Sequence, residues 1–155
     1  MYTTIICAIE ASDEGKEILS KAYELSKLYK AKLFITHVIP YTLLPKDYQK
    51  ELKENVLPEI ESMILPLGIA KKRVAIKFGK PYEQICMLAE KKNADLIILG
   101  THSKKGLHAL IGSTANTVAN YAKCDVSLIK ISVSYTHLRA HETLMNLVCR
   151  LLLEK

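Results

Sequence analysis

Gly100, Gly112, Ser113 and Thr114 are the residues whose types and spacing best fit chemistry in this chain. The apolar run Leu96-Ile97-Ile98-Leu99 stops at Gly100, a polar loop with Lys104 and Lys105 follows, and Gly112-Ser113-Thr114 opens a helix-forming stretch. Such an arrangement leaves free backbone N–H groups at the carboxyl edge of a parallel sheet, where nucleotide phosphates tend to bind. Gly100, lacking a Cβ, lets a ligand approach the backbone closely. A plainer reading uses the same groups: Gly100 ends a strand, Gly112 turns the chain, and Ser113 caps the helix.

Other reactive side chains carry less. Cysteines 7, 86, 124 and 149 have no C-x-x-C spacing, so neither a zinc site nor a disulfide framework is suggested, and Cys7, Cys86 and Cys124 read as core residues. His102 and His108 lack a carboxylate or cysteine at ligand spacing, and His37 reads as a strand-end histidine with a backbone partner. There is no G-x-x-x-x-G-K-[ST], no G-x-S-x-G and no residue suited to act as a hydrolytic base.

The elements that must position these residues alternate strand and helix. Strands are expected at Thr3 to Ile9, Lys32 to Ile39, Arg73 to Lys77, Asp95 to Leu99 and Asp125 to Ile131. Ser12, followed by Asp13 and Glu14, caps a first helix with Ile18, Ala22, Leu25 and Tyr29 at helical spacing. A long second helix runs from about Leu44 or Asp47 to Leu67, with Leu52, Val56, Ile60 and Ile64 inward and Pro58 suggesting a kink; Gly68 ends it. Pro81 starts a third helix carrying Ile85, Leu88 and Ala89, and Ser113 to about Ala122 forms a fourth with Ala115, Val118, Ala119 and Ala122 inward. The pattern β-α-β-α-β-α-β-α-β implies an α/β, Rossmann-like open five-stranded parallel sheet with helices on both faces.

With 155 residues, 49% hydrophobic and 25% charged, one globular domain is expected. The net charge of +6 invites nucleic acid, but the lysines are spread over every helix and loop, so a solvated surface is the reading and no nucleic-acid partner is expected. No apolar run is long enough for a membrane span, and the start has no basic region or cleavage site, which gives a cytoplasmic expectation with no membrane partner. From Val133, the residues Val-Ser-Tyr-Thr-His-Leu-Arg-Ala-His-Glu-Thr resemble the translation of a transposon-end sequencing adapter. The domain is therefore placed at 1–132, with 133–155 as a non-native tail; the alternative is an amphipathic C-terminal helix with Leu144, Leu147, Val148, Leu151 and Leu152 on one face.

Taken together, four places resemble the universal stress protein family. They are Ile5-Ile6-Cys7-Ala8-Ile9-Glu10-Ala11-Ser12, His37-Val38-Ile39-Pro40, Gly79-Lys80-Pro81 with Ala94-Asp95-Leu96-Ile97-Ile98-Leu99-Gly100-Thr101-His102, and Gly112-Ser113-Thr114-Ala115 with Ala122-Lys123-Cys124-Asp125-Val126. ATP-binding members carry G-x2-G-x9-G-[ST] after the fourth strand. Here Gly100 and Gly112-Ser113 fit, Ser103 replaces the second glycine, the loop is one residue shorter, and Glu10 stands where aspartate is usual. The shorter loop is similar to that of the founding-member-like subgroup.

The resemblance implies that Ala8, Ile9, Glu10 and Val38 border base and ribose. Gly100, Thr101, Ser103, Gly112, Ser113 and Thr114 would serve the phosphates of ATP, held more weakly than in full-motif relatives. It also implies a homodimer through the fifth strand and, at most, slow ATPase activity; no metal site is evident. The competing expectation is a dimeric stress-response interaction protein whose vestigial site binds no nucleotide.

Overall fold

The computed structural model describes residues 1–40, 43, 45–102 and 113–131. Five strands, β1 (Thr4–Ala8), β2 (Lys32–Ile39), β3 (Val74–Phe78), β4 (Leu96–His102) and β5 (Asp125–Ile131), form one sheet in the order β3-β2-β1-β4-β5. Every neighbouring pair is parallel. Four helices connect them: α1 (Asp13–Tyr29), α2 (Lys46–Ile64), α3 (Pro81–Lys91) and α4 (Ser113–Tyr121). Val133 onward, including the proposed tail, lies outside the described residues.

Alternate side chains of each strand feed two separate cores. Ile5, Cys7, Leu33, Ile35, Leu96 and Ile98 pack with Ile18, Leu19 and Ala22 of α1 and Ile60, Met63 and Ile64 of α2. On the opposite face, Ile6, Ile97 and Leu99 pack with Ile85, Leu88 and Ala89 of α3 and Ala115 and Val118 of α4. The expected α/β sheet with helices on both faces is therefore present. No described helix is long and apolar enough to cross a membrane.

Local chemistry sets the element ends. Ser12 Oγ accepts a hydrogen bond from the Gly15 N–H at 3.2 Å, and Asp13 and Glu14 face the positive end of α1. Lys30 ends α1 in the left-handed region at φ 57°. α2 runs through Pro58 without ending there, because that residue is exposed and water can satisfy the carbonyl that its missing N–H leaves unpaired. A 3-10 turn, Leu65–Leu67, finishes the segment at Gly68, φ 70°.

Two strand boundaries and one helix face differ from expectation. β4 extends to His102, because Gly100, Thr101 and His102 pair with Ile129, Lys130 and Ile131. β3 begins at Val74, Arg73 closing a 3-10 turn before it. Ala119 is exposed, so the inward face of α4 is carried by Ala115 and Val118, with Ala122 half-buried.

Asp95 pins the amino edge of the sheet. Its carboxylate accepts from the Thr3 N–H and the Thr3 hydroxyl, both at 3.0 Å, and from the Thr4 N–H at 3.1 Å. Desolvation pushes the carboxyl pKa up, but the bonds from Thr3 and Thr4 outweigh it and hold it below its ordinary 3.8. A lowered folded-state pKa stabilises fully above the unfolded value and is lost as pH falls through the folded one. Asp95→Asn is therefore expected to lower Tm at neutral pH, with the gap from wild type closing below about pH 4 in melting curves taken across pH.

Candidate functional site

The strand order reverses direction at β1, whose neighbours β2 and β4 lie on either side, so the carboxyl ends of β1 and β4 form the topological switch point. Ala8 pairs with Leu99 and with Thr36. That register brings Ala8, Ile9 and Glu10 beside Gly100 and Thr101 on one flank and near Val38 on the other. Ser113 and Thr114 form the first turn of α4, which packs on β4 and β5. Ser103 and Gly112 lie outside the described residues, as do Lys104, Lys105 and His108.

The residues at this edge are not equally free to meet a ligand. Ile9 is buried in the core, its N–H donates to the Thr36 carbonyl at 3.0 Å, and its carbonyl accepts from His37 Nδ1 at 3.0 Å. The His37 bond requires the proton on Nδ1 and gives that histidine the backbone partner expected of it. Both polar groups of Ile9 are thus engaged within the protein. Glu10 is exposed, Ala8 and Val38 are half-buried, and Ser113 is exposed beside half-buried Thr114. Thr101 is buried, and its hydroxyl makes no hydrogen bond to a described residue.

Gly100 has a packing reason for being glycine. A Cβ there would collide with Cδ1 of Ile18 and stand 3.1 Å from Cδ1 of Ile131, so the missing side chain makes room for α1 against the sheet. The expectation that its Cβ space belongs to a ligand is corrected: on that face Ile18 already fills it. Gly100→Ala is expected to cost about 1–2 kcal/mol, since the obstacle is the far end of a side chain. Ile18→Val, which removes that Cδ1, should recover part of the loss when combined with it; chemical denaturation of the three variants measures this.

Gly15 is the functional neighbour that sequence reasoning missed. A Cβ there would strike the backbone oxygen of Glu10, so α1 approaches the turn after β1 as closely as a glycine allows. Its signal was available: glycine in the first turn of an otherwise well-capped helix is costly and calls for a contact to explain it.

Electrostatics separate the helix starts. The amino end of α1 is occupied by Ser12 and shielded by Asp13 and Glu14, and the first turn of α3 holds Glu83. α4 has no acid in its first turn and offers two hydroxyls. Among these three, α4 is therefore the start most open to an anion. Ser113 is its first helical residue, one position inside the cap site expected of it.

The described cysteines are free thiols, and burial pushes all three upward in pKa. Cys7 is core as expected, whereas Cys86 and Cys124 are only half-buried and line one cavity of about 300 Å³ between α3 and the start of β5. No metal-holding cluster of histidine, cysteine and carboxylate occurs among the described residues.

Residues 1–130 match the family model described as the universal stress protein family. Universal stress protein A homolog 1 of Coxiella burnetii is 31% identical over 137 residues, covering 81% of this chain and 94% of that protein. A structure of a functionally unknown Pseudomonas aeruginosa protein superposes with a TM-score of 0.67 at 24% identity, covering 83% of this chain and 47% of that one. This chain thus spans about half of that protein. A universal stress protein solved in complex with cAMP superposes with a TM-score of 0.62 at 21% identity, covering 83% of this chain and 97% of that one.

Proposed function

The chain belongs to the universal stress protein family, and we propose that it is a stress-response protein that binds an adenine nucleotide at the switch point, with the phosphates on the amino end of α4. The observation that carries this reading is the acid-free, hydroxyl-bearing first turn of α4 beside the adjoining ends of β1 and β4. Ser113 and Thr114 supply N–H and hydroxyl donors to phosphate, with Gly100 and Thr101 near the end of β4 as further members of the set; Ser103 and Gly112 complete the proposed set and lie outside the described residues. Ala8, Glu10 and Val38 border the base and ribose, with Ile9 acting through its packing. The nucleotide complex of a structural neighbour supports an adenine ligand, and ATP is the ligand proposed here.

The protein binds without needing chemistry, and at most hydrolyses ATP slowly. β5 at the outer edge of the sheet supports a homodimer formed through that strand. A cytoplasmic location goes with the free thiols. The domain is 1–132, and 133–155 is a tail of adapter origin.

A second reading has its own support. The backbone groups of Ile9 are engaged within the protein and Ile18 fills the space beside Gly100, so this edge offers few free groups to a ligand, which favours a dimeric interaction protein with a vestigial site. Calorimetric titration with ATP separates the two readings: saturable heat supports the first, and its absence supports the second.

A further inference from the structure

β3 is an outer strand of the sheet and pairs only with β2 among the described strands. A cavity of about 300 Å³ lies against it, walled by Ile60 and Ile64 of α2 and by the successive strand residues Val74 to Lys77. Val74 packs with the core under α1 and α2, whereas Ala75 packs with the core under α3 and α4. A cavity that touches both therefore runs along the outer edge of the strand and not over one face of it.

The hydrogen bonds of β3 show which backbone groups face that cavity. The Gly79 N–H donates to the Ile39 carbonyl, and the Ala75 carbonyl accepts from the Thr36 hydroxyl, both at 3.0 Å. Ala75, Lys77 and Gly79 thus turn their backbone groups toward β2, and the alternate residues Val74, Ile76 and Phe78 turn theirs outward. The Val74 N–H closes a turn on the Lys71 carbonyl. The N–H and carbonyl of Ile76 meet no hydrogen-bonding partner among the described residues, although Ile76 is only 9% exposed. Backbone groups so sheltered call for a partner. A further strand matches such an edge, because it brings its own row of donors and acceptors.

Charge selects which strand. From Ile69 to Tyr82 the chain carries Lys71, Lys72, Arg73, Lys77 and Lys80 and no acid. Glu61 of α2 pairs with Lys71 at 3.4 Å, whereas Lys77, half-buried in the strand, pairs with no described carboxylate. A second copy of this edge would set these cations against their own equivalents. We infer that the β3 edge takes an extended peptide of another protein, added as a sixth strand, whose residues are alternately apolar and acidic. The apolar ones lie beside Ile76 against α2, and the acidic ones lie beside Lys77 on the other face. This surface is at the opposite side of the sheet from β5 and does not depend on the nucleotide reading.

The probe is a short fluorescein-labelled peptide of alternating glutamate and valine, titrated against the full chain by anisotropy. Saturable binding is expected, with the lysine–valine counterpart about tenfold weaker. Lys77→Glu should reverse that order, and Lys91→Glu, the same change at the exposed end of α3, should keep it; melting curves verify that both variants fold. An added edge strand uses only alternate amides. N-methylating one alternate set in the peptide should therefore abolish binding, and methylating the other should leave it within about threefold, a comparison that needs only the wild-type chain. No binding of the glutamate–valine peptide, equal binding of the two peptides, or equal loss from both methylated sets would each overturn the assignment. So would an unreversed order in folded Lys77→Glu, or a reversed one in Lys91→Glu.

Discussion

Gly15→Ala should destabilise the protein by about 3 kcal/mol and lower Tm by roughly 10 °C. Two effects compete at this position, and their signs are opposite. In an exposed helix interior, alanine is better than glycine by about 1 kcal/mol, so propensity alone predicts a more stable protein. The new Cβ, however, would strike the carbonyl oxygen of Glu10 and lie 3.0 Å from its carbonyl carbon. Backbone cannot rotate aside as the end of a side chain can, so either α1 or the turn after β1 must shift. A shift moves Ile18 and Leu19 out of the core they share with Ile5 and Ile98. It also displaces Glu10 at the candidate site. A melting curve decides the matter: an unchanged or raised Tm would mean that α1 is not packed as closely as described.

Ser113→Glu should lower affinity for ATP about thirtyfold while leaving the fold intact. A carboxylate in the first turn of α4 complements the helix dipole, a stabilising contribution of about 0.3–1 kcal/mol. The same charge occupies the space and the potential that the phosphates would use. Stability and affinity therefore move in opposite directions, which separates a ligand effect from simple unfolding. Equal affinity in the variant would remove the phosphates from α4.

The fold was legible because its signals are local and repeated. β2 and β5 read true to their ends, since β-branched runs are bounded by a helix stop and Pro40 in one case and by Cys124-Asp125 in the other. Ser12 was recognisable as a cap because its chemistry is contained within four residues. The features that were misread depend on partners distant in sequence. β4 gains Gly100 to His102 only through pairing with β5, and Ala119 faces outward because α4 packs on Ala115 and Val118.

The candidate site was less legible for a related reason. A glycine at 100 has the same appearance in sequence whether it clears a ligand or the end of Ile18. Ile9 stands at the right position in the chain, yet Thr36 and His37 of the adjacent strand take both of its backbone groups. What sequence did expose was the α4 start, because hydroxyls without a nearby acid are a local feature.

Titration of the wild-type chain with ATP beside the Ser113→Glu variant tests the central claim most directly. The account predicts saturable, single-site heat from the wild type and a Tm that rises with ATP concentration, both strongly reduced in the variant. Wild-type protein that gives neither heat nor a Tm shift at millimolar ATP would contradict it.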